Sequence, residues 1–358
     1  MGCCRLTYNT ALGHIKDGKE HKYSFYWLRN RFVNEDNIPK SKQFLLQTPK
    51  HVREGAVKDL AQAYAVNFKV KKKNPKHTFD IRFRRKKDTQ SIVIPKDAFK
   101  QRENGVVLYP KMLSPDPIID IMPTRDCRLS IDRQKRFVLY VPVEVAKVAP
   151  IHKNHVDSVV ALDPGVRTFL TSWSPNGEAY KLGDGDYMRM YDTLIRIDKL
   201  MSSVSKARGR SKYRKNRVLQ TLRAKAENFQ RDVHYQCANF LVSKYDDIIL
   251  PVFGSKAMSS KMDRRLHTKT VRSMLGMGHY AFRQRLLEVA ERRGVRVHLC
   301  TEEYTSKTCS CCGWIHPKLG GSKVFSCRQC GAKIDRDLQG AFNIFLKYTK
   351  EHPEFYSV

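Results

Sequence analysis

The sequence predicts an α+β protein with more than one domain. Segments that alternate in the manner of strands recur along the chain, and stretches with helical periodicity separate them. Two Cys-x-x-Cys pairs near the C-terminus indicate a small metal-binding module. With 358 residues, of which 41% are hydrophobic, the chain can bury two or more cores.

The charge balance points to a polyanionic partner. Lys and Arg number 67 against 35 Asp and Glu, which gives a formal net charge of +32. Nucleic acid suits such a surface best. A membrane surface is the alternative, but no apolar run reaches spanning length and the opening MGCCRLTYNT is short and polar. We therefore expect no membrane association and a soluble, intracellular protein.

Residues 1–150 are predicted to form a β-rich unit with helices attached. One helix passes through Leu12, and another runs from about Val52 to Phe68 with apolar residues at helical spacing. The strand-like segments are HTFDIRF at 77–83, SIVIP at 91–95 and the stretch 128–145.

A second unit is predicted to follow the boundary at 147–157, which contains a proline and few large apolar residues. The buried strand SVVALD ends in Asp163, and the strands TFLTSW and EAYKL flank a turn at 174–177. The remaining predicted elements are two long antiparallel helices, the strand DDIILPVF, a helix at 280–293, the strand VRVHL and a helix at about 337–348. This alternation predicts a mixed sheet covered by helices.

The two cysteine pairs, Cys309-x-x-Cys312 and Cys327-x-x-Cys330, are the strongest local signal. Four thiolates suit a tetrahedral Zn²⁺ ion, and the glycine after each pair lets the backbone turn tightly. Such a site has no open position, which favours a structural role. A disulfide pair is the alternative interpretation, and Cys311 could act instead in a Cys-x-Cys arrangement. The other cysteines are expected to be reduced, small buried side chains.

Acidic residues at the ends of secondary-structure elements are the candidate catalytic groups. Asp163 closes a buried strand, and Asp337 begins the last helix just after the second cysteine pair. Converging carboxylates can hold the two divalent ions that assist phosphodiester hydrolysis. Isolated acids at such points are usually caps or ion-pair partners, which is the competing interpretation. Asp335 is predicted to be the helix cap, and Asp246 and Asp247 are predicted to be surface acids.

Several motifs resemble those of a known nuclease family. ALDPGVRTFLT resembles the first motif of the RuvC-like nucleases in TnpB, Fanzor and type V CRISPR effectors. EEYTSKTCSCCG and DRDLQGAFNIF resemble the zinc and third motifs of those proteins. GCCRLTYNTAL and GMGHYAFRQRLLEVAERRGV are similar to two of their helices, so the likeness covers nearly the whole chain.

The resemblance to the Fanzor/TnpB family implies an architecture and an activity. Residues 1–150 would form a β-barrel wedge domain with an inserted helical recognition part. Residues 151–303 and 335–358 would form a RuvC-like ribonuclease H fold, interrupted by a zinc ribbon at 304–334. The implied activity is RNA-guided cleavage of double-stranded DNA next to a short flanking motif, with a guide (omega-type) RNA. One structural Zn²⁺, two catalytic Mg²⁺ ions, a monomer and a nuclear location in a eukaryote, or a cytoplasmic one otherwise, are implied as well.

The same resemblance assigns the catalytic acids. Asp163 and Asp337 match the first and third acids. TnpB proteins place the second after the strand that corresponds to DDIILPVF, where this chain has a Pro, a Phe and a Gly at 251–254. Fanzor proteins place it before the TSKTC motif, so Glu302 is the predicted second acid and Glu303 the alternative.

Three dense basic runs are the predicted nucleic-acid-binding segments. Tyr213 and Phe83 within them could stack on bases, whereas a solvated charged face is the alternative for any single run. A catalytically silent nucleic-acid-binding protein and a strand-transferring transposase are the alternative functions. The predicted phosphate-binding residues are Lys71, Lys72, Lys73, Arg82, Arg84, Arg85, Arg208, Arg210, Lys212 and Arg214.

Overall fold

A computed structural model describes ten ranges of the chain. The chain forms two compact units, Met1–Glu144 and Val145–Val358. The predicted boundary at 147–157 lies outside the described residues. The described ranges are 1–18, 23–109, 118–132, 134, 136–146, 158–254, 268–301, 303–317, 319–320 and 322–355.

Three helices form the first core of unit 1. Cys4, Tyr8 and Leu12 recur every four residues along the first helix, so they lie on one face and pack against Leu28 and Leu60 of the other two helices. Both helices predicted from the sequence are present, and the second extends into a basic C-terminal turn. The helices are α1 (Gly2–Lys16), α2 (Phe25–Phe32) and α3 (Lys50–Lys73), with 3-10 turns at Glu35–Asn37 and Lys40–Gln47.

The described strands of unit 1 form two small antiparallel sheets. One has three strands in the order β1–β4–β5, and the other is the hairpin β2–β3. Their closure into a barrel stays a prediction. The strands are β1 (Gln90–Ile94), β2 (Phe99–Arg102), β3 (Gly105–Leu108), β4 (Cys127–Ile131) and β5 (Phe137–Tyr140).

The segment 77–83, which was expected to be a strand, is not one. Phe79 and Ile81 pack against the helical core, so the apolar alternation reflects burial against helices rather than a place in a sheet. The side chain of Asn9 holds the backbone of Arg84, the residue directly after this segment. Its Oδ1 accepts from the backbone N–H of Arg84 at 2.8 Å, and its Nδ2 donates to the carbonyl of Arg84 at 2.9 Å.

A five-stranded mixed sheet is the centre of unit 2, in the order β10–β9–β6–β7–β8. The strands β6, β9 and β10 are parallel, whereas β7 and β8 form an antiparallel hairpin beside β6. The predicted strands are therefore confirmed, with β6 in the middle. They are β6 (Val159–Pro164), β7 (Leu170–Trp173), β8 (Ala179–Leu182), β9 (Asp247–Pro251) and β10 (Arg296–Cys300).

Helices cover both faces of this sheet. Val160 and Leu162 of β6 pack into a large helical core on one face. Val159 and Ala161 face the opposite side and contact Ile344 of the last helix. The helices of unit 2 are α4 (Asp186–Lys206), α5 (Gly209–Lys244), α6 (Thr268–Met277), α7 (His279–Arg293) and α8 (Arg336–Glu351).

The long helices α4 and α5 are an antiparallel pair, as predicted. Successively later residues of α4 contact successively earlier residues of α5, which is possible only if the two run in opposite directions. These contacts are Arg189 with Phe229 at 4.8 Å, Met201 with Arg223 at 3.2 Å and Ser203 with Lys215 at 2.7 Å. None of the described helices is long and apolar enough to cross a membrane.

Asp247, predicted to be a surface acid, is buried at the start of β9 with 3% of its surface exposed. Arg296 of β10 donates to both carboxylate oxygens, from Nε at 2.7 Å and from a terminal nitrogen at 2.5 Å. His298, two residues further along β10, contacts the same carboxylate at 2.7 Å. The prediction was wrong because the partners lie 49 and 51 residues away in sequence.

Candidate active site and metal centre

Asp163 lies near the carboxyl end of the central strand, on the face that α8 covers. Its cross-strand neighbour on β7 is Thr171, and the neighbour of Thr171 on β8 is Lys181. Side chains directly opposite one another in an antiparallel pair share a face of the sheet. Asp163, Thr171 and Lys181 thus form one row across three strands.

The first turns of α8 lie along this row. Asp335 caps the helix as predicted, since its carboxylate accepts from the backbone N–H of Asp337 at 3.1 Å and of Leu338 at 3.2 Å. The same carboxylate accepts from Lys181 at 2.7 Å. At the other end of the row, a Cβ built on Gly340 would lie 2.4 Å from Oδ2 of Asp163. The absent side chain at Gly340 lets the Asp163 carboxylate lie directly against the helix.

Asp337 lies between these two contacts. It precedes Gly340 by three residues, and residues three apart in a helix are neighbours on one face, roughly 5–6 Å apart. Both acids are partly buried. The fold thus brings the two predicted acids, 174 positions apart in the numbering of the chain, to one edge of the sheet.

The electrostatics around Lys181 support this placement. The hydrogen bond to Asp335 raises the pKa of Lys181, and the charges of Asp335, Asp337 and Asp184 raise it further, although burial opposes them. Burial raises the pKa of Asp335, but Lys181 and the helix N–H groups outweigh that effect and leave the pKa below its usual value. Asp337 and Asp184 therefore lie close enough to Lys181 to act on its charge.

Asp184 is a residue that the sequence reasoning missed. It follows β8 in the run Gly183-Asp184-Gly185-Asp186, and its carboxylate accepts from the hydroxyl of the buried Thr168 at 2.8 Å. The signal was present as an acid between two glycines directly after a strand. Such a carboxylate is held at a fixed point of the same sheet edge.

The predicted second acid and its alternative directly precede a turn that is held by α8. Glu302 lies outside the described residues, and Glu303 is exposed. The turn that follows them is attached to α8 by two buried amides. Asn343 donates to the carbonyls of Thr305 at 2.8 Å and Thr308 at 2.7 Å, and Gln339 donates to Thr308 at 2.8 Å.

The carboxyl end of β9, where TnpB proteins carry their glutamate, is apolar here. Phe253 packs on the ring of His279 at 4.5 Å, and His279 stacks on Phe169 at 4.9 Å. Burial lowers the pKa of His279 to about 4, so the ring is neutral at physiological pH. This position therefore offers packing rather than a metal ligand.

The four predicted cysteines form a cluster. The ligand atoms of Cys309, Cys312, Cys327 and Cys330 all lie within 4.8 Å of one another. The Sγ atoms of Cys309 and Cys330 are 3.7 Å apart, and those of Cys312 and Cys327 are 3.5 Å apart. A tetrahedral ion with bonds of about 2.3 Å would separate its sulfur ligands by about 3.8 Å. The cluster can therefore hold a tetrahedral ion with thiolate ligands.

The two cysteine pairs adopt equivalent turns. The N–H of Gly313 donates to the carbonyl of Cys309 at 2.9 Å, and the N–H of Gly331 donates to that of Cys327 at 3.1 Å. Both glycines have φ above 70°, a conformation that a side chain would strain.

Burial raises the pKa of Cys327, but hydrogen bonds from backbone N–H groups and from the neighbouring thiols lower it to about 6. Backbone N–H groups lower the pKa of Cys312 and of Cys330, but the hydrogen bond with Cys327 and burial in turn raise the pKa of both above its usual value. A thiolate at neutral pH is the form that binds a cation.

The hairpin β11 (Val324–Ser326) and β12 (Lys333–Asp335) carries the second pair and leads directly into α8. Cys311 is exposed, whereas Cys309 and Cys327 are buried. Among the described His, Cys, Asp and Glu side chains, these four cysteines are the one group of three or more whose ligand atoms are close enough to share an ion.

The predicted nucleic-acid-binding residues fall into two classes. Arg84 pairs with Asp59 at 2.9 Å and lies 3.9 Å from the ring centre of Tyr8, so its charge is partly used within unit 1. Arg85 pairs with Asp88 at 3.1 Å. The other eight are exposed, at the end of α3 and nearby and around the start of α5: Lys71, Lys72, Lys73, Arg82, Arg208, Arg210, Lys212 and Arg214.

Comparison with known proteins places these features in a family. The family model for the Cas12f1-like TNB domain matches residues 279–344, from α7 to α8. A putative transposase of Paramecium bursaria Chlorella virus 1 is 29% identical over 96% of this chain and 81% of its own length. A TnpB-like protein of Acanthamoeba polyphaga mimivirus is 30% identical over 71% of this chain. The chain is similar to TnpB-like proteins. It spans only 48% of that mimivirus relative.

More distant relatives connect the chain to the type V effectors. The Cas12f1 endodeoxyribonuclease of Syntrophomonas palmitatica is 24% identical over 63% of the chain and 46% of its own length. The cryo-EM structure of a Cas12f1–sgRNA–target DNA complex superposes with a TM-score of 0.50 at 16% identity. It covers 95% of this chain and 80% of the Cas12f1 chain. This likeness establishes a shared fold.

Proposed function

We propose that the chain is an RNA-guided DNA endonuclease with a RuvC-type site. The observation that carries this proposal is the contact of the Asp163 carboxylate with Gly340, one helical turn from Asp337. An acid at the end of a central strand, pressed against a helix that presents a second acid, suits a shared divalent ion. The Cas12f1 relative of Syntrophomonas palmitatica is an endodeoxyribonuclease, and a solved Cas12f1 complex that shares this fold contains an sgRNA and target DNA.

The acids of this chain have distinct proposed roles. Asp163 and Asp337 would hold Mg²⁺, with Glu302 as the second acid and Glu303 as the alternative. The two ions would supply charge for the leaving oxygen and lower the pKa of the attacking water. Asp335 caps α8 and accepts a hydrogen bond from Lys181. Asp184 is a further carboxylate fixed by Thr168 at the same edge.

The cysteine cluster is proposed to hold one structural Zn²⁺ ion. Four sulfur ligands leave no open position for chemistry. Because β12 continues directly into α8, the ion would fix the start of the helix that carries Asp337. The four Sγ atoms are close enough for this ion.

The exposed basic residues are proposed to bind phosphates of a guide RNA and of the target DNA. Runs at the end of α3 and the start of α5 place cations on helix surfaces, where they can follow a nucleic-acid backbone. Sequence choice would then come from base pairing with the guide. We propose a monomer, a Fanzor-type relationship, and a nuclear location in a eukaryotic host.

The test is cleavage with the RNA that the protein binds in cells. The protein is purified from cells that carry its native locus, the copurifying RNA is sequenced, and its guide segment is changed to match a chosen DNA. We expect cleavage of that DNA in Mg²⁺ but not in EDTA, and no cleavage by Asp337→Asn with the same RNA bound. RNA binding without cleavage by the native chain would make it a silent binding protein. Joined labelled ends would indicate strand transfer.

The second acid and the zinc site have separate tests. Glu302→Gln is expected to abolish cleavage and Glu303→Gln to preserve it, and the opposite result would reverse the assignment. Metal analysis is expected to find one zinc per chain, lost in Cys327→Ser. Cys311→Ser is the matched control, because Cys311 lies in the same loop and outside the cluster.

A further inference from the structure

Unit 1 contains a cavity that none of the proposed roles uses. It lies between α1, the end of α2 and the 3-10 turns that follow, and its volume is about 120 Å³. One water molecule needs roughly 10–15 Å³ by this measure, so the cavity has room for about ten atoms of that size. That is the scale of an aromatic ring system with several substituents.

The cavity has an apolar interior. Ile38 and Leu45, both buried, line it together with the partly buried ring of Phe32. The ring of Phe32 makes edge-to-face contacts with the rings of His14, at 5.4 Å between centroids, and Trp27, at 6.0 Å. A flat apolar ligand could therefore lie against a fixed aromatic ring.

The remaining walls are cationic and polar. Arg31 and Lys42 contribute positive charge, and no Asp or Glu belongs to the described lining. Lys42 reaches across to the hydroxyl of Thr10 at 3.3 Å. Arg31 is an exposed residue of the lining. Asn37 donates its Nδ2 to the backbone of Asn30, which leaves its amide oxygen for another donor.

We propose that this cavity binds a single unpaired nucleotide. The base would lie against Phe32 between Ile38 and Leu45, its edge would meet Asn37 and Thr10, and its phosphate would meet Arg31 and Lys42. A base that is stacked and paired in a duplex cannot enter this partly open cavity, whereas an extruded or single-stranded base can. The absence of acids from the described lining and the chain's net charge of +32 favour a nucleotide over a cationic or purely apolar ligand.

The proposal deepens the proposed nucleic-acid binding and is independent of cleavage. The chemistry of a nucleotide is shared by guide RNA and by target DNA, so the experiment has an arm for each. Its readout is a covalent adduct. A chain that binds but does not cut still reports on the cavity, and failure at the cavity leaves the nuclease proposal intact.

The experiment is photocrosslinking of the full-length protein. Short single-stranded RNA and DNA probes, each with one 5-iodouracil base, are irradiated with the protein, and adducts are mapped by mass spectrometry. We expect an adduct at Phe32 or Asn37, stronger with RNA if the nucleotide belongs to the guide and stronger with DNA if it belongs to the target. No adduct at the cavity with either probe, or an adduct with free 5-iodouridine monophosphate but with neither probe, would overturn the proposal.

Two variants make the result specific. Thr10→Phe fills the cavity without a change of charge and is expected to reduce the adduct at least tenfold. Lys42→Ala is expected to reduce it several-fold, whereas Lys40→Ala, an exposed lysine of the same 3-10 turn outside the cavity, is the matched control. A melting curve establishes that Thr10→Phe is folded, and Lys42→Ala tests the cavity if it is not. An unchanged adduct in the folded Thr10→Phe chain, or equal effects of both lysine variants, contradicts the proposal.

Discussion

Aspartates at the two ends of the parallel strands in the unit 2 sheet have opposite surroundings. Asp247 opens β9 at one edge and Asp163 ends the neighbouring parallel strand β6 at the other. Asp247 is 3% exposed and is held by Arg296 and His298. Asp163 is only partly buried, and its carboxylate lies against Gly340 near a second acid. An acid surrounded by its own cations stabilises a fold, whereas acids gathered at one edge suit an external cation.

The network at Asp247 extends to the last helix. Nδ1 of His298 lies 2.9 Å from the hydroxyl of Tyr348 on α8, so the acid, the histidine and the tyrosine form a chain. Burial raises the pKa of Asp247, but the hydrogen bonds from His298 and Arg296 and the charge of Arg296 outweigh it. The pKa of Asp247 therefore lies below its usual value. The C-terminal part of α8 is fastened to the sheet at this edge.

The largest expected effect separates the two acids directly. Asp163→Asn should reduce DNA cleavage at least about 100-fold, because loss of a metal ligand should exceed the 10–100-fold typical of outer-shell changes. Its melting temperature should stay near that of the native chain. Asp247→Asn should lower the free energy of unfolding by about 1–3 kcal/mol, since it weakens a buried charge-assisted network. Its folded fraction should cleave normally. If Asp163→Asn and Asp247→Asn changed cleavage and stability to the same extent, the two aspartates would not have the distinct roles given to them here.

The contact at Gly340 gives the next largest effect. Gly340→Val places a branched side chain where the Asp163 carboxylate lies, 2.4 Å from the new Cβ, so we expect the carboxylate to move and cleavage to fall more than tenfold. Nucleic-acid affinity should not change. Leu346→Val, at an exposed position of the same helix, controls for the helix propensity of valine. Full activity of Gly340→Val would show that the position of the Asp163 carboxylate against α8 is not needed for cleavage.

A smaller effect is expected at the attachment of the turn that follows Glu303. Asn343→Ala removes two hydrogen bonds to the carbonyls of Thr305 and Thr308. We expect cleavage to fall by up to about tenfold, the result of lower precision in placing the second acid, with little change in nucleic-acid affinity. The control is Thr349→Ala, whose hydroxyl bonds only its own helix in the described contacts. A fall in affinity equal to the fall in cleavage would point to binding instead.

The smallest effect concerns acid pH. A carboxyl whose folded pKa is depressed stabilises the fold above its unfolded pKa of about 3.9, and this stability is lost as pH falls through the folded pKa. The melting temperatures of the native chain and of Asp247→Asn should therefore differ at pH 7 and converge below about pH 4. Thermal denaturation over this range measures the convergence. A constant difference would mean that the charge of Asp247 does not stabilise the fold.

Local patterns predicted much of this fold. The strands around Asp163, the two cysteine pairs and the cap at Asp335 follow from periodicity, spacing and side-chain chemistry over a few residues. The burial of Asp247 does not, because its partners lie on another strand. The segment 77–83 alternates like a strand, yet its apolar residues Phe79 and Ile81 pack against helices of unit 1. Gly340 carries no pattern of its own, and its importance appears only when Asp163 lies against it.

Asp335 connects three parts of unit 2 as well as capping α8. It ends β12 opposite Val324 in the cysteine hairpin, begins α8, and pairs with Lys181 of the large sheet. One residue thus joins the cysteine module to the sheet edge that carries Asp163. We expect oxidation of the cysteine thiols, or loss of the proposed Zn²⁺ ion, to shift Asp335 and with it the start of α8, and so to lower activity at acids that the cysteine cluster does not touch.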